Sequence, residues 1–180
     1  MRIGSERGFS LIELIVIIVV LSLALVGVTL VINKAVQQSP EALVQSRAME
    51  LAQTYMDEIL TKRYDERTGQ GGTPRCDSTD NAAQACSGTL GPETTPPDNE
   101  SSRTLYDDVD DYNGLSETSP VSIVTGAALT TYDGYSISVT VTYAGSEIGL
   151  ANNRHAKRIT INVSTPLGNT IPVSAYRVNF

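Results

Sequence analysis

From Leu14 to Asn33 the chain reads LIVIIVVLSLALVGVTLVIN, twenty residues without a charge. A helix crossing a hydrocarbon core of about 30 Å needs about 20 such residues. The pattern therefore predicts a membrane-length helix. Glu13 stands directly in front of the run, behind the leader MRIGSERG and the residues Phe9 to Ile12. Further along the pattern changes. Val44, Ala48, Leu51, Ala52, Tyr55 and Ile59 recur at helical spacing, widened by Met49, Met56 and Leu60, with Arg47, Glu50, Gln53, Asp57 and Glu58 opposite. This second half predicts an amphipathic helix with one face for a core. Ser39-Pro40-Glu41 lies between the halves. Proline costs a helical hydrogen bond, so a kink near Pro40, or a fresh start capped by Ser39, is expected.

The far end alternates with period two. In YSISVTVTY, Tyr135, Ile137, Val139, Val141 and Tyr143 face one way and Ser or Thr the other. RITINVST repeats this with Ile159, Ile161 and Val163, and IPVSAYRVNF is a last strand after the turn TPLGNT. AGSEIGLANNRHAK joins the first two as a hairpin loop, and a short earlier strand is expected in SIVTGAALTTY. Such strands suit an antiparallel sheet with one face solvated and one covered by a helix. The fold class expected is α+β: a long N-terminal helix on roughly four antiparallel strands. Between helix and sheet, Thr68 to Ser102 is rich in Gly, Pro, Ser, Thr and Asp without apolar period, and reads as a long surface loop. A loop of that length inside a domain is usually functional or mobile.

Charge narrows the partners. The net charge is -7, with 20 acidic and 13 basic residues in 180. Nucleic-acid phosphates need clustered Lys and Arg, so the acidic balance argues against that partner. A secretory signal is the rival for the apolar run. Its apolar region is usually about 7–15 residues and ends in a small-residue cleavage site, and neither holds before Lys34. Arg2 and Arg7 outweigh Glu6 in the leader, which places the N-terminus on the cytoplasmic side of the membrane and the remainder outside. Outside the cytoplasm a disulfide is the default for Cys76 and Cys86, with a metal pair or free thiols as the other readings. Neither a CxxC spacing nor a neighbouring histidine favours metal.

Catalytic chemistry finds little to work with. His155 is the only histidine and lies in the polar stretch NNRHAKR. A Ser-His-Asp arrangement would have to use it, without a GxSxG elbow. The sequence holds no GxxxxGK[ST] and no HExxH. No catalytic residue is assigned, and the chain does not read as an enzyme.

Glu13 remains to be explained. A carboxylate deep in a membrane costs about 2.5–3.5 kcal/mol on insertion scales, less near the edge. Either it is interfacial or it awaits a partner charge. GFSLIEL, with its short basic leader and the apolar helix behind it, resembles the processing site of type IV pilins and the related pseudopilins, from Gly8 to about Asn33. The resemblance implies that a prepilin peptidase cuts after Gly8 and methylates the new amine on Phe9. It also implies that Glu13 takes the N-terminal amine of a neighbouring subunit during assembly. Physics allows that role: an ammonium among apolar helices is tolerated only with a partner. Phe9 and Glu13, four apart on one helix, could also pair locally.

The expected division is a leader over 1–8, a transmembrane and assembly helix over 9–33, and a periplasmic or extracellular domain over 34–180. The partners implied are the prepilin peptidase, other pilins, the inner membrane and an assembly platform. MDEILTKRYDE, YDDVDDYNG, KRITINVSTPLG and SAYRVNF resemble the minor pilins of the mannose-sensitive haemagglutinin (MSHA) pilus system. Unlike major pilins, the chain has no cysteine pair bracketing its C-terminal segment. The alternatives are a pseudopilin of a type II secretion system, a tip adhesion or binding subunit, and an anchored protein that never assembles. Some pseudopilins bind calcium, and Asp107, Asp108, Asp110 and Asp111 in YDDVDDYNG are candidate ligands, although the EF-hand template does not fit them. Otherwise no cofactor is expected. The other reading is an Asp-rich turn bonding its own backbone amides, anchored by Val109 and the tyrosines.

Overall fold

The computed structural model describes Gly8, residues 10–96 and residues 98–179, the side chains of 34–40 excepted. One helix, α1, runs Leu11–Leu60. The chain divides into two compact units, Met1–Leu43 and Val44–Phe180. Backbone helix continues through Pro40, so the second half does not begin as a separately capped helix.

In the first unit, Leu11–Asn33 is long and apolar enough to cross a membrane. Its large apolar side chains are all exposed. The two hydroxyls within it turn back on the helix: Ser22 Oγ donates to the Ile18 carbonyl at 2.6 Å and Thr29 Oγ1 to that of Val26 at 2.9 Å. That leaves no hydroxyl reaching for solvent, as an apolar surrounding requires.

The second unit is an α+β domain. After α1 come two small strands, β1 (Thr94–Thr95) and β2 (Asp98–Asn99), paired as a hairpin. A four-stranded antiparallel sheet follows in the order β3-β4-β5-β6: Ser116–Glu117, Ser136–Tyr143, Ala156–Ser164 and Thr170–Val178. Register sets Val139 beside Ile161 and Ile161 beside Val173. Ala48, Leu51, Ala52, Tyr55, Met56 and Ile59 of α1 pack on Ile137, Val139, Val141, Ile159, Ile161 and Val163, all buried. Each such large side chain stabilises by about 1.5–3 kcal/mol when withdrawn from water. On the edge strand β6 the inward residues Ile171, Val173 and Ala175 are only partly covered.

Four expectations change. The early strand is not within 122–132, which holds an isolated bridge from Val121 to Ala128 and a 3-10 turn; the fourth strand is Ser116–Glu117. Met49 is 42% exposed, because it lies one residue, about 100°, round the helix from Ala48. Glu58 does not lie opposite the core but is drawn into it by Arg103. The stretch 68–102 is not simply surface. Thr68, Cys76, Cys86, Ser87 and Glu100 are buried, and Tyr64 with the two cysteines forms a second small core against Tyr143. Gly69 pins this stretch: a Cβ there would meet the Thr73 carbonyl oxygen at 2.2 Å.

Candidate functional site

At the N-terminus the described helix begins at Leu11. Leu14 N donates to the Ser10 carbonyl at 3.1 Å, so Ser10 sits at the cap and Glu13 in the first turn. A carboxylate there is favoured by the helix dipole. Ser10 and Glu13 also stand at the spacing of a capping box. Glu13 is exposed, as is Gly8. Phe9, the expected methylation site, lies outside the described residues.

Cys76 and Cys86 form a disulfide, with Cα atoms 4.8 Å apart. Asn179 Nδ2 donates to the Cys76 carbonyl at 2.8 Å, and Arg154 Nε reaches Asp77 Oδ2 at 3.1 Å. The disulfide is thereby fastened to the far end of the sheet. His155 is half-buried, with Nε2 3.4 Å from the Asn152 amide.

The acidic turn is tied to the end of α1. Arg63 N donates to the Asp107 carbonyl at 3.2 Å, and Val109 N to the Arg63 carbonyl at 3.1 Å. Within the turn, Asp111 Oδ2 accepts from Asp107 N and Asp108 N at 2.9 Å each, and Asp108 Oδ1 accepts from Asp110 N at 2.7 Å. Val109 and Tyr112 are buried. The structure does not bring the four aspartates onto one point. Asp107 pairs with Arg63, while Asp110 pairs with Lys157. Asp108 and Asp111 hold the backbone. Burial, with Asp110 and Asp111 beside it, pushes Asp108 up to about 10. At neutral pH its carboxyl thus keeps a proton to share with Asp110, whose own value burial also raises against the pull of Lys157.

Lys157 is fully buried on the inward face of β5. Its Nζ donates to the Tyr64 carbonyl at 2.5 Å and to Asp65 Oδ2 at 3.3 Å, besides Asp110, and lies 4.5 Å from the Tyr64 ring centre. Burial works against the charge of Asp65. Lys157, together with hydrogen bonds from Arg67 N and from Ser87, outweighs it and holds that carboxyl below its ordinary value. Extending the alternation of Ile159 and Ile161 back two places would have found Lys157. A second cation, Arg103, reaches Glu58 with Nε at 3.0 Å and Glu117 at 3.3 Å, and its guanidinium stacks 3.8 Å above the Tyr55 ring. Glu58 also accepts from the Tyr112 hydroxyl at 2.6 Å. No local pattern marks Arg103, whose partner Glu58 is 45 residues away.

Among the described residues, three acidic groupings emerge. Asp65 stands with the two cysteines, which the disulfide removes as ligands. Glu66, Asp107 and Asp108 surround Arg63, which reaches Glu66 at 2.9 Å. Burial and the nearby Asp107, against the attraction of Arg63, raise Glu66 to about 7. Glu93, Glu100 and Asp111 form the third, their oxygens within 4.8 Å of one another. Here burial, then Asp111, pushes Glu100 up to about 8, and the same two causes raise Glu93.

Among the described residues, one helix long and apolar enough to cross a membrane precedes an α+β domain. Residues 3–29 match the family model described as the prokaryotic N-terminal methylation motif. This match supports a type IV pilin-like precursor, processed at its N-terminus, and it coincides with the start of α1 and most of the apolar segment. No curated protein and no solved structure matches the chain.

Proposed function

We propose that the chain is a minor type IV pilin of the MSHA kind, its D-type minor pilin in particular, with a structural rather than enzymatic role. A prepilin peptidase cuts after Gly8 and methylates Phe9. The apolar helix rests in the inner membrane with its N-terminus cytoplasmic, then leaves lipid for the core of a surface fibre. Glu13 takes the Phe9 amine of a neighbouring subunit and so selects axial register, since an unpaired charge among apolar helices is costly. The observation that carries this reading is the coincidence of the methylation motif with a helix whose apolar residues are exposed all round. The MSHA assignment rests on the stretches MDEILTKRYDE, YDDVDDYNG, KRITINVSTPLG and SAYRVNF of the domain.

Intact and N-terminal mass spectrometry of the protein from its native membrane or sheared fibres tests it. The expected mature chain begins with N-methylated Phe9. A chain beginning at Met1, or cut behind Asn33, would end the pilin reading. Glu13→Gln keeps the capping-box spacing and removes the charge. It should lose incorporation into fibres while the domain melts as in the wild type. Wild-type levels of incorporation would reduce Glu13 to a helix cap.

A further inference from the structure

The acidic groupings differ in how their charge is met. Arg63 stands among Glu66, Asp107 and Asp108, and Lys157 between Asp65 and Asp110. Among the described residues no ion pair involves Glu93, Glu100 or Asp111, whose oxygens nonetheless converge within 4.8 Å. We propose that these three carboxylates form a site for a hard divalent cation, and that the ion is calcium.

The arrangement is built into the backbone. Glu93 precedes β1 and Glu100 follows β2, so the pairing of Thr94 with Asn99 sets the two opposite each other. Glu100 N donates to the Glu93 carbonyl at 2.7 Å and closes the base of that hairpin. Asp111 comes from the acidic turn, 1% exposed, with Oδ2 fixed by two backbone amides. Its Oδ1 is buried without a hydrogen-bond partner, and so is Glu93 Oε2. A buried carboxylate oxygen without a partner is costly, and these two belong to neighbouring acids. Without an ion the only relief is a proton held on Glu100 toward Asp111; a cation between the three takes that proton's place.

The chemistry selects the ion. The donors are all carboxylate oxygens, which suit calcium, magnesium or manganese rather than zinc or copper. Calcium takes oxygen ligands at about 2.3–2.6 Å in irregular sets, so ligands on opposite sides of it lie near the separation found here. Magnesium needs about 2.0–2.1 Å and a near-regular octahedron, which three carboxylates on separate backbone anchors do not supply. Of the three ligands, Glu93 alone borders an open cavity of about 280 Å³, whose lining also includes Glu66, Arg67, Thr89 and Asp98. The four aspartates of the turn are thus the wrong set; one of them joins two glutamates of the preceding loop. This inference rests on the cluster alone and stands whichever filament the chain joins.

The test uses the full chain in detergent, stripped with EDTA and titrated with calcium chloride, followed by equilibrium dialysis with radioactive calcium and by thermal melting. One ion per chain is expected, with Kd in the range of about 10⁻⁴–10⁻³ M typical of extracellular modules. At ten times Kd the melting midpoint should rise by about 5 °C. Magnesium at the same concentration should give less than half that rise. Glu100→Gln should bind at least tenfold more weakly, yet melt no lower than the wild type in EDTA, since it relieves crowding. Asp57→Asn, on the exposed face of α1, should bind as the wild type does. Absence of bound calcium at 5 mM, or wild-type affinity in Glu100→Gln, would overturn the site; equal response to magnesium would overturn the choice of ion. Should Glu100→Gln fail to fold, Glu93→Gln takes its place: tenfold weaker binding supports the site and wild-type affinity overturns it.

Discussion

The two halves of α1 share a backbone and differ in everything their side chains meet. From Leu11 to Ile32 every large apolar residue is about half exposed or more, from Ile17 at 49% to Leu11 at 78%. From Ala48 to Ile59, Ala48, Leu51, Ala52, Tyr55 and Ile59 show no exposure at all. The first half spreads Leu, Ile and Val around the whole circumference and needs an apolar surrounding supplied from elsewhere, lipid or other helices. The second concentrates its apolar residues on one stripe and finds its surrounding in the same chain. Polar groups follow suit. Ser22 and Thr29 bond to their own helix, whereas Tyr55 and Glu58 reach partners 62 and 45 residues away. Substitutions should therefore disturb assembly in the first half and stability in the second.

The largest loss of stability is expected at Lys157. Lys157→Met preserves length and apolar stem but leaves Asp65 and Asp110 buried without their cation. Breaking a buried pair on one side costs about 3–5 kcal/mol. Urea unfolding of the full chain measures it, and a cost below about 1 kcal/mol would mean that the acids take up protons without penalty. Next comes a matched pair of truncations along α1. Leu51→Ala should cost about 2–5 kcal/mol as a buried large-to-small change. Leu21→Ala, at a residue 60% exposed, should change the unfolding of the domain by less than about 0.5 kcal/mol. Equal effects at the two sites would erase the contrast between the halves.

A third test reads a slope rather than a midpoint. The folded Asp108 carboxyl holds its proton up to about 10 and the unfolded one releases it near the ordinary 3.8. Between those values the folded state binds the extra proton, so stability falls as pH rises. Asp108→Asn keeps the oxygen that caps Asp110 N and offers an N–H where the proton stood. Melting midpoints from pH 4 to pH 10 should then fall less steeply than in the wild type. Parallel curves would show that Asp108 ionises in the fold without cost.

Sequence periodicity reached the elements whose signals are local. The charge-free run, the stripe from Val44 to Ile59 and the alternation of β4 and β5 each lie within one element, and the structure forms each of them. The failures came from distance. Nothing near Ser116–Glu117 announces a strand, because it forms by pairing with residues 137 and 138 of β4. Nothing near Arg103 foretells Glu58. The stretch 68–102 looks like surface by composition, yet its disulfide is covered by Tyr64, just ahead of it, and by Tyr143 from β4. At the candidate sites, the N-terminal motif was legible because a peptidase reads it as a linear string. The acidic turn was legible only as a turn. Which of its aspartates faces other acids depends on a hairpin whose fold no short-range pattern encodes.

The burial of Lys157 also orders events in time. Its amine meets Tyr64 and Asp65, 93 and 92 residues earlier in the chain, and Asp110, 47 residues earlier. Contacts across such separations close slowly, because the loop entropy is lost before the contact forms. A chain that emerges N-terminus first presents α1, Asp65 and Asp110 before β5 arrives. Until then those carboxyls have no counter-charge, and covering the helix stripe would strand them. Lys157 therefore sets a late commitment point: the domain can close over its first helix only once its second-to-last strand has come into place.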